Sequence, residues 1–555
     1  MSYRTGDVPD RTEVLIIGSG FGGAVFAERL SAAGVGVCVI ERGRAYPPGS
    51  FPRTPAEFAR NFWAPHDNLY GLFDIWSFRG LEAIVSSGLG GGSLIYANVM
   101  LRKPAEWFTQ PHPHRPGVWE RWSFTREDLD PHYDAVGEFL DLETTPVSKD
   151  PADPFHLPKT AAFRAAAGPD TELAPLAVRF RDVAGNPAVG APLPDADYPN
   201  IFGAHRRSCA LIGECDIGCN EGAKNSLDHT YLSAVAARPN ASIHVRVEAE
   251  TIERRPDGTF AVGVRTHDAV GNRTDTTVIA DQVVVSAGTF GSTFLLLRNR
   301  ARLDLRPDGP LGTRFCGNGD LLGLILKAPT VLAGTRGPVI TASHRYDDAH
   351  GMYLQDAGFP NFAAWLIETR FGAGHYRRLA KFTGKRLWAA LTRRGQTSIA
   401  GDIARLLGDG RFTDCGMPVL GMGRDVPDGR LFLRGDDVLE SDWTSTTSAA
   451  HFDALIGRMR AVATALGGTF TPNPTYLLKK RVITVHPLGG CPADTSESTG
   501  VVDGYGRVHG VPGLWVADGS VFPGPVGPNP SFTIAAFARR AAGQFLADLG
   551  RSRIG

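Results

Sequence analysis

Two short segments near the carboxyl end hold residue types that can move a proton and orient a hydroxyl. His486 stands in Val485-His486-Pro487-Leu488-Gly489-Gly490-Cys491, and Asn529 follows 43 residues later in Gly527-Pro528-Asn529-Pro530-Ser531. An imidazole, with a reference pKa of about 6.5, accepts a proton near neutrality. Prolines on both sides of Asn529 fix the backbone and exclude helix there, so its amide is aimed rigidly just before a helix expected over 532–549. The positive end of that helix dipole would stabilise negative charge developing on an acceptor placed against it. A lone histidine is more often a packed core residue; one bracketed by a proline and a glycine pair, opposite a rigid asparagine, points to catalysis.

The amino end carries the complementary cofactor signal. Gly18-Ser19-Gly20-Phe21-Gly22-Gly23 follows an apolar strand expected over 13–17 and opens a helix over 24–33. A second strand, 36–40, ends in Glu41, 21 residues after Gly20, close to the spacing of an acid that binds a ribose. Gly18 permits the tight turn, Gly20 lets backbone approach a pyrophosphate, Gly23 allows helix and strand to pack closely, and the helix start offers free N–H groups to the phosphates. A merely structural glycine turn would have no use for the acid. Further on, Gly88, Gly90, Gly91 and Gly92 place four glycines in five positions, followed by Ser93, Tyr96 and Asn98. Such a run removes side chains where a flat ring such as an isoalloxazine could lie against backbone.

These segments need one scaffold to bring them together. A strand over 280–286 running into Ala287-Gly288 and a helix over 292–298, and another over 513–517 ending in Asp518-Gly519, repeat the strand-then-turn pattern far downstream. The expected architecture is therefore α/β: a discontinuous Rossmann-like nucleotide domain from 1–106, 196–310 and 476–555. Into it is inserted a substrate domain from 107–195 and 311–475, built on an antiparallel sheet and helices.

Composition excludes other classes. Lys plus Arg equal Asp plus Glu at 58 each, so there is no summed basic field to collect nucleic acid. Seven cysteines, with only Cys209, Cys215 and Cys219 clustered, do not make a disulfide framework, and the missing ligand in that cluster argues for structural thiols and no metal. Gly222 to Ser226 is expected to cap the helix that follows. With no basic-then-apolar leader and no long apolar run, a cytoplasmic protein is expected.

Taken together, GSGFGG with Glu41, SSGLGGGSLIYANV, VVVSAGTFGS, VHPLGGC and GLWVADGSVFPGPVGPNPSFTIAAFARR, in that order, resemble the glucose-methanol-choline oxidoreductases, in particular their cholesterol-oxidase-like branch. The resemblance covers the nucleotide domain closely and the inserted domain only loosely. It implies non-covalent FAD and oxidation of a bulky apolar secondary alcohol, a sterol or steroid first, by hydride transfer to flavin N5, with re-oxidation by oxygen. It also implies that His486 takes the hydroxyl proton and that Asn529, with Pro530 and Ser531, contacts flavin and substrate. Gly18, Gly20, Phe21, Gly22, Gly23, Glu41, Gly88, Gly90, Gly91, Gly92, Ser93, Tyr96, Asn98, Ala287, Gly288, Asp518 and Gly519 are the remaining flavin contacts implied. A dehydrogenase passing electrons to a quinone or carrier is the nearest alternative, and a flavoprotein of isomerisation or other non-redox chemistry the next.

Two features depart from that pattern or add to it. The glutamate that cholesterol oxidases place over the substrate has no clean counterpart; Glu368 is the candidate. Residues 370–394 carry eight basic and no acidic residues among Tyr376, Leu387, Trp388 and Leu391, a basic amphipathic stretch that reads as a peripheral membrane contact or as a solvated helix covering the substrate domain.

Overall fold

The protein is described by a computed structural model over residues 3–111, 117, 119–268, 271–347, 350–366, 380–381, 383–385, 387–388, 391, 411–435 and 438–551. The fold is α/β, with two principal sheets. The first has eight strands, in the order Arg4–Thr5, Ala241–Val245, Val37–Glu41, Arg11–Ile17, Arg273–Val285, Phe260–His267, Val247–Arg254, with Leu514–Val516 beside Arg273–Val285. Val14, Leu15 and Ile16 are fully buried, as a central parallel strand covered on both faces requires. Helix Phe21–Ala32 packs on that strand and against the carboxyl-terminal helix Ser531–Asp548.

The strand Arg273–Val285 does two jobs because it is thirteen residues long. Its first part pairs antiparallel with Phe260–His267, whereas its last residues run parallel to Arg11–Ile17 on one side and to Leu514–Val516 on the other. Parallel pairing at that end lines up the carboxyl ends of three strands, where an open α/β sheet binds its ligand. Three distant stretches of chain thus close one sheet.

The second sheet is antiparallel throughout, in the order Glu172–Leu173, Ala342–Tyr346, Met352–Asp356, Met417–Gly423, Leu321–Leu326, Thr469–Pro472. Along Met352–Asp356 side chains alternate between its faces. Met352 and Leu354 join the core under helix Ala449–Ala465, while Tyr353 packs with Trp107 and Met422 on the opposite face. Gln355 shares the face of Tyr353.

Some local expectations shift. The expected helix over 24–33 starts three residues earlier, at Phe21, and the expected strand over 513–517 shortens to Leu514–Val516. Gly222 to Ser226 caps nothing: the next helix is Tyr231–Ala236, with Thr230 at its N-cap. Lys224 is instead drawn inward, its Nζ donating to the carbonyls of Leu94, Tyr96 and Cys215 at 3.1, 2.9 and 2.7 Å. Three acceptors satisfy all three ammonium protons, which is why a lysine tolerates complete burial there. Cys209 and Cys215 lie in an apolar cluster with Val99, Leu176 and Phe180, and burial pushes both thiols up, away from the thiolate form. Among the described residues no helix is long and apolar enough to cross a membrane.

Candidate active site

The nucleotide turn behaves glycine by glycine as its spacing requires. Gly18 has φ +101°, and a Cβ there would lie 2.2 Å from the Ser286 carbonyl oxygen; at Gly22 it would lie 1.5 Å from that of Ala517, and at Gly23 2.0 Å from that of Gly18. At Gly20 an added Cβ would meet no protein atom. Gly20 is therefore the position whose missing side chain faces open space, while its neighbours are shut in by backbone. Phe21 packs edge-to-face on Tyr96 at 5.3 Å between centroids.

The second glycine run meets the first directly. A Cβ on Gly91 would sit 2.7 Å from Gly20 Cα, and the Gly90 N–H donates to Ser19 Oγ at 3.0 Å. Ser19 Oγ in turn donates to Glu41 Oε2 at 2.6 Å, and Gly43 N donates to Glu41 Oε1 at 2.9 Å. Glu41 is buried, and burial raises its carboxyl pKa in spite of those donors. Ser93 is occupied by protein alone, donating to Gly90 O and accepting from Leu227 N. Asn98 is different. It is fully buried in the left-handed region, φ 68°, and neither its Oδ1 nor its Nδ2 has a partner. A buried amide left unpaired costs free energy unless something outside the protein atoms satisfies it.

Ala287 and Gly288 begin the helix Gly288–Arg298. Asp518 caps it, accepting from Gly288 N and Ser292 Oγ with one oxygen and from Ser520 N and Oγ with the other. Both oxygens are engaged by protein, so Asp518 shapes the turn, with burial raising its carboxyl pKa. Gly489 N donates to Gly519 O at 3.0 Å, and Thr289 Oγ1 to Pro487 O at 2.7 Å, which fastens the His486 segment to this turn.

The residues present fit FAD. Gly20, Gly92 and Gly288 each leave open space where a Cβ would be, beside a buried acid at the expected ribose distance and a buried amide without a protein partner. Gly18, Gly20 and the helix start would receive the phosphates, Glu41 the ribose, and Gly92 with Asn98 the ring.

The His486 and Asn529 segments are gripped by one turn, Gly317 to Asp320. His486 Nδ1 lies 2.9 Å from Asp320 Oδ1, with Asp320 fully buried and His486 nearly so. Two residues before Asp320, Asn318 donates through Nδ2 to the carbonyls of Gly527 and Pro528 at 3.3 and 3.1 Å and accepts from Gly527 N at 2.9 Å. Asn318 has φ 56°, a conformation that asparagine tolerates better than most residues. Asn529 Oδ1 accepts from Gln355 Nε2 at 2.8 Å, both side chains being buried. Pro530 N-caps the helix Ser531–Asp548, as the flanking prolines predict.

Asp320, Asn318 and Gln355 come from the second sheet or its approach, 166, 209 and 174 residues from their partners. No local motif flags them. Glu368 lies outside the described residues, and the buried residue next to Asn529 is the neutral Gln355. A cleft of about 570 Å³ near Arg507, Trp515 and Phe545 contains none of the residues above.

Two family models, both described as GMC oxidoreductase, match residues 189–302 and 437–538. A cholesterol oxidase of Mycobacterium tuberculosis is 30% identical over 96% of this chain and 90% of its own length. A cholesterol oxidase of Acinetobacter baumannii is 26% identical, covering 95% and 93%, and a paromamine 6'-oxidase of Streptomyces fradiae 27%, covering 97% and 92%. Among solved structures, a pyridoxine 4-oxidase from Mesorbium loti superposes with TM-score 0.56 at 16% identity over 97% of this chain and 99% of that one. Open space at Gly20 and Gly92, an unpaired buried amide at Asn98 and 30% identity over 96% of the chain lead to one conclusion: the chain belongs to the GMC oxidoreductase family and is an FAD-dependent alcohol oxidoreductase.

Proposed function

We propose that the alcohol is bulky, apolar and secondary, a sterol or steroid, that His486 accepts its hydroxyl proton, and that Asn529 orients it. The observation that carries this reading is the face of the antiparallel sheet beside Asn529. There Tyr353 and Met422 pack with Trp107, and with Leu101 and Leu420 at the margin, so the side adjoining the Gln355–Asn529 pair is mainly apolar, with Ser343 Oγ on Gln355 and the Arg345 and Arg424 guanidinium groups over the Trp107 ring. Trp107 also lies against the Asn529 loop, since a Cβ on Gly527 would fall 2.2 Å from its ring. An apolar wall favours a ring system over a sugar.

FAD, when bound, supplies the two-electron acceptor for the carbinol hydride. The protein's own part is to hold the hydroxyl between imidazole and amide, to receive the proton at His486, and to keep the Asn529 loop still through Asn318. The nucleotide segments 1–106, 196–310 and 476–555 would hold FAD, and 107–195 with 311–475 would choose the alcohol. Oxygen is the acceptor we favour for re-oxidation.

A membrane-dissolved substrate needs access to lipid. Most of 370–394 lies outside the described residues; within it Leu387, Trp388 and Leu391 are 57–76% exposed, and with Lys381 and Lys385 they support docking on anionic lipid through that stretch. Replacing Arg377, Arg378, Lys385 and Arg386 by glutamine should weaken binding to phosphatidylserine vesicles, and equal binding would refute the docking.

The test of the substrate is anaerobic. Cholesterol, other steroid alcohols, aliphatic alcohols and an aminoglycoside are added in turn to the flavoprotein, and the flavin absorbance is followed. Bleaching by sterols supports the reading, whereas bleaching by the aminoglycoside alone replaces it with a polar substrate. Air and a quinone are then compared as re-oxidants.

A further inference from the structure

We propose that Asp320 is a positioning residue for His486: it holds the proton on Nδ1, so that Nε2 is the bare nitrogen facing the alcohol. The proposal rests on the reading that His486 takes the hydroxyl proton.

The geometry leaves the carboxylate little freedom. Oδ1 faces His486 Nδ1 at 2.9 Å, and Oδ2 accepts from Thr484 Oγ1 at 2.9 Å and from Val485 N at 3.0 Å. Thr484 and Val485 immediately precede His486, and the His486 N–H donates to Thr484 Oγ1 at 3.0 Å. Carboxylate, hydroxyl and imidazole are therefore tied to one three-residue stretch. A shift of the loop carries all of them together, and the His486 ring cannot turn without breaking a buried hydrogen bond.

Other titratable groups stand behind this pair. Asp425 lies behind Asp320 on the same turn, accepting from Gly317 N at 2.9 Å; the Cys316 thiol adjoins Asp425, and His451, from helix Ala449–Ala465, contacts Gly319 O through Nε2 at 3.1 Å. Burial first, and Asp320 among the lesser causes, pushes Asp425 up to about 7. Asp320 has imidazole, hydroxyl and amide partners about its two oxygens.

A carboxylate acceptor makes Nδ1–H the stable tautomer and stabilises the imidazolium formed once the substrate proton reaches Nε2. The atoms balance simply. The O–H bond breaks, its proton bonds to Nε2, and Asp320 stays ionised throughout, since its part is orientation and charge.

The deciding experiment uses the full-length flavoprotein and His486→Ala, Asp320→Asn and double variants. The ¹⁵N resonances of His486 in the wild type are expected to show Nδ1 protonated and Nε2 bare at pH 8; the opposite tautomer overturns the proposal even if Asp320→Asn fails to fold. Asp320→Asn turns an amide donor towards Nδ1, and is expected to move the ring proton to Nε2 and to slow flavin reduction by about 10²- to 10⁴-fold. The limb in which the rate rises with pH should move about one to two units lower, because the imidazolium has lost its counter-charge. Added to His486→Ala, Asp320→Asn should cost less than about twofold more. Wild-type rates and pH profile in Asp320→Asn, with His486→Ala inactive, would refute the role of Asp320 alone; full activity in His486→Ala would refute the underlying reading.

Discussion

Gln355 is the residue through which the antiparallel sheet reaches the Asn529 loop, and its removal has a calculable consequence. Its Nε2 donates to Asn529 Oδ1 at 2.8 Å and to Ser343 Oγ at 3.3 Å, with Gln355 wholly buried and Asn529 5% exposed. In Gln355→Leu the Asn529 carbonyl oxygen keeps its burial and loses this donor, a cost of about 1–3 kcal/mol. The backbone cannot relieve it, because Pro528 and Pro530 fix the chain on either side and Asn318 holds the Gly527 and Pro528 carbonyls. The side chain must therefore rotate, and the amide orientation offered to the alcohol is lost. If that orientation matters in the transition state, flavin reduction slows by about 5- to 150-fold, at 1.4 kcal/mol per factor of ten. Stopped-flow absorbance under anaerobic conditions at saturating alcohol reads this rate directly. A rate within twofold of wild type would refute the reasoning, and so would a loss that adds in full to that of Asn529→Ala. Gln355→Glu extends the test: an ionised carboxylate would repel Asn529 Oδ1, so activity should fall as pH rises through the elevated pKa of a buried acid.

Further outcomes follow from other sites. Gly20→Ala should fold as well as wild type, since its φ of −70° suits alanine and the Cβ meets no protein atom, yet bind FAD at least tenfold more weakly; Gly22→Ala, 1.5 Å from a carbonyl oxygen, should fail to fold, and equal FAD affinity in Gly20→Ala would count against the phosphate contact. Asp425, raised from 3.8 to about 7, favours its protonated form when folded, so the wild type loses stability as pH rises through that window and Asp425→Asn does not. The stability of that variant relative to wild type should improve by up to about 4 kcal/mol between pH 4 and 8, at 1.36 kcal/mol per unit, and a constant difference in denaturant midpoint would refute it. Lys224→Met strands three carbonyls, those of Leu94 and Tyr96 after the second glycine run and that of Cys215. It should lower stability by roughly 3 kcal/mol or more and release FAD on dilution, which gel filtration with absorbance detection would show.

Much of this protein was written into short stretches of chain. The Gly18–Gly23 turn, its acid at Glu41, and the asparagine between two prolines are local patterns, because the conformations they require depend on residues a few positions apart; a glycine that must reach φ +101° or admit a backbone carbonyl has no substitute. Strand and helix periodicity likewise sufficed for the α/β class, although boundaries moved, most of all for the strand expected from 280, which begins at Arg273. Where local reading went astray, at Gly222 to Ser226, three distant carbonyls drew Lys224 inward and the helix began later. Asp518 caps Gly288–Arg298 with one oxygen and holds the Ser520 turn with the other, partners that its place at the end of a strand does not reveal. The partners of the two candidate active-site residues could be found only in the folded molecule. Asp320 and Gln355 sit in ordinary strand or turn sequence, and they meet His486 and Asn529 because an antiparallel sheet inserted elsewhere in the chain is pressed against the nucleotide-binding layer. Sequence spacing determines what a residue's own backbone can do; which buried donor faces which buried acceptor depends on how separate layers pack, and that is a property of the tertiary structure.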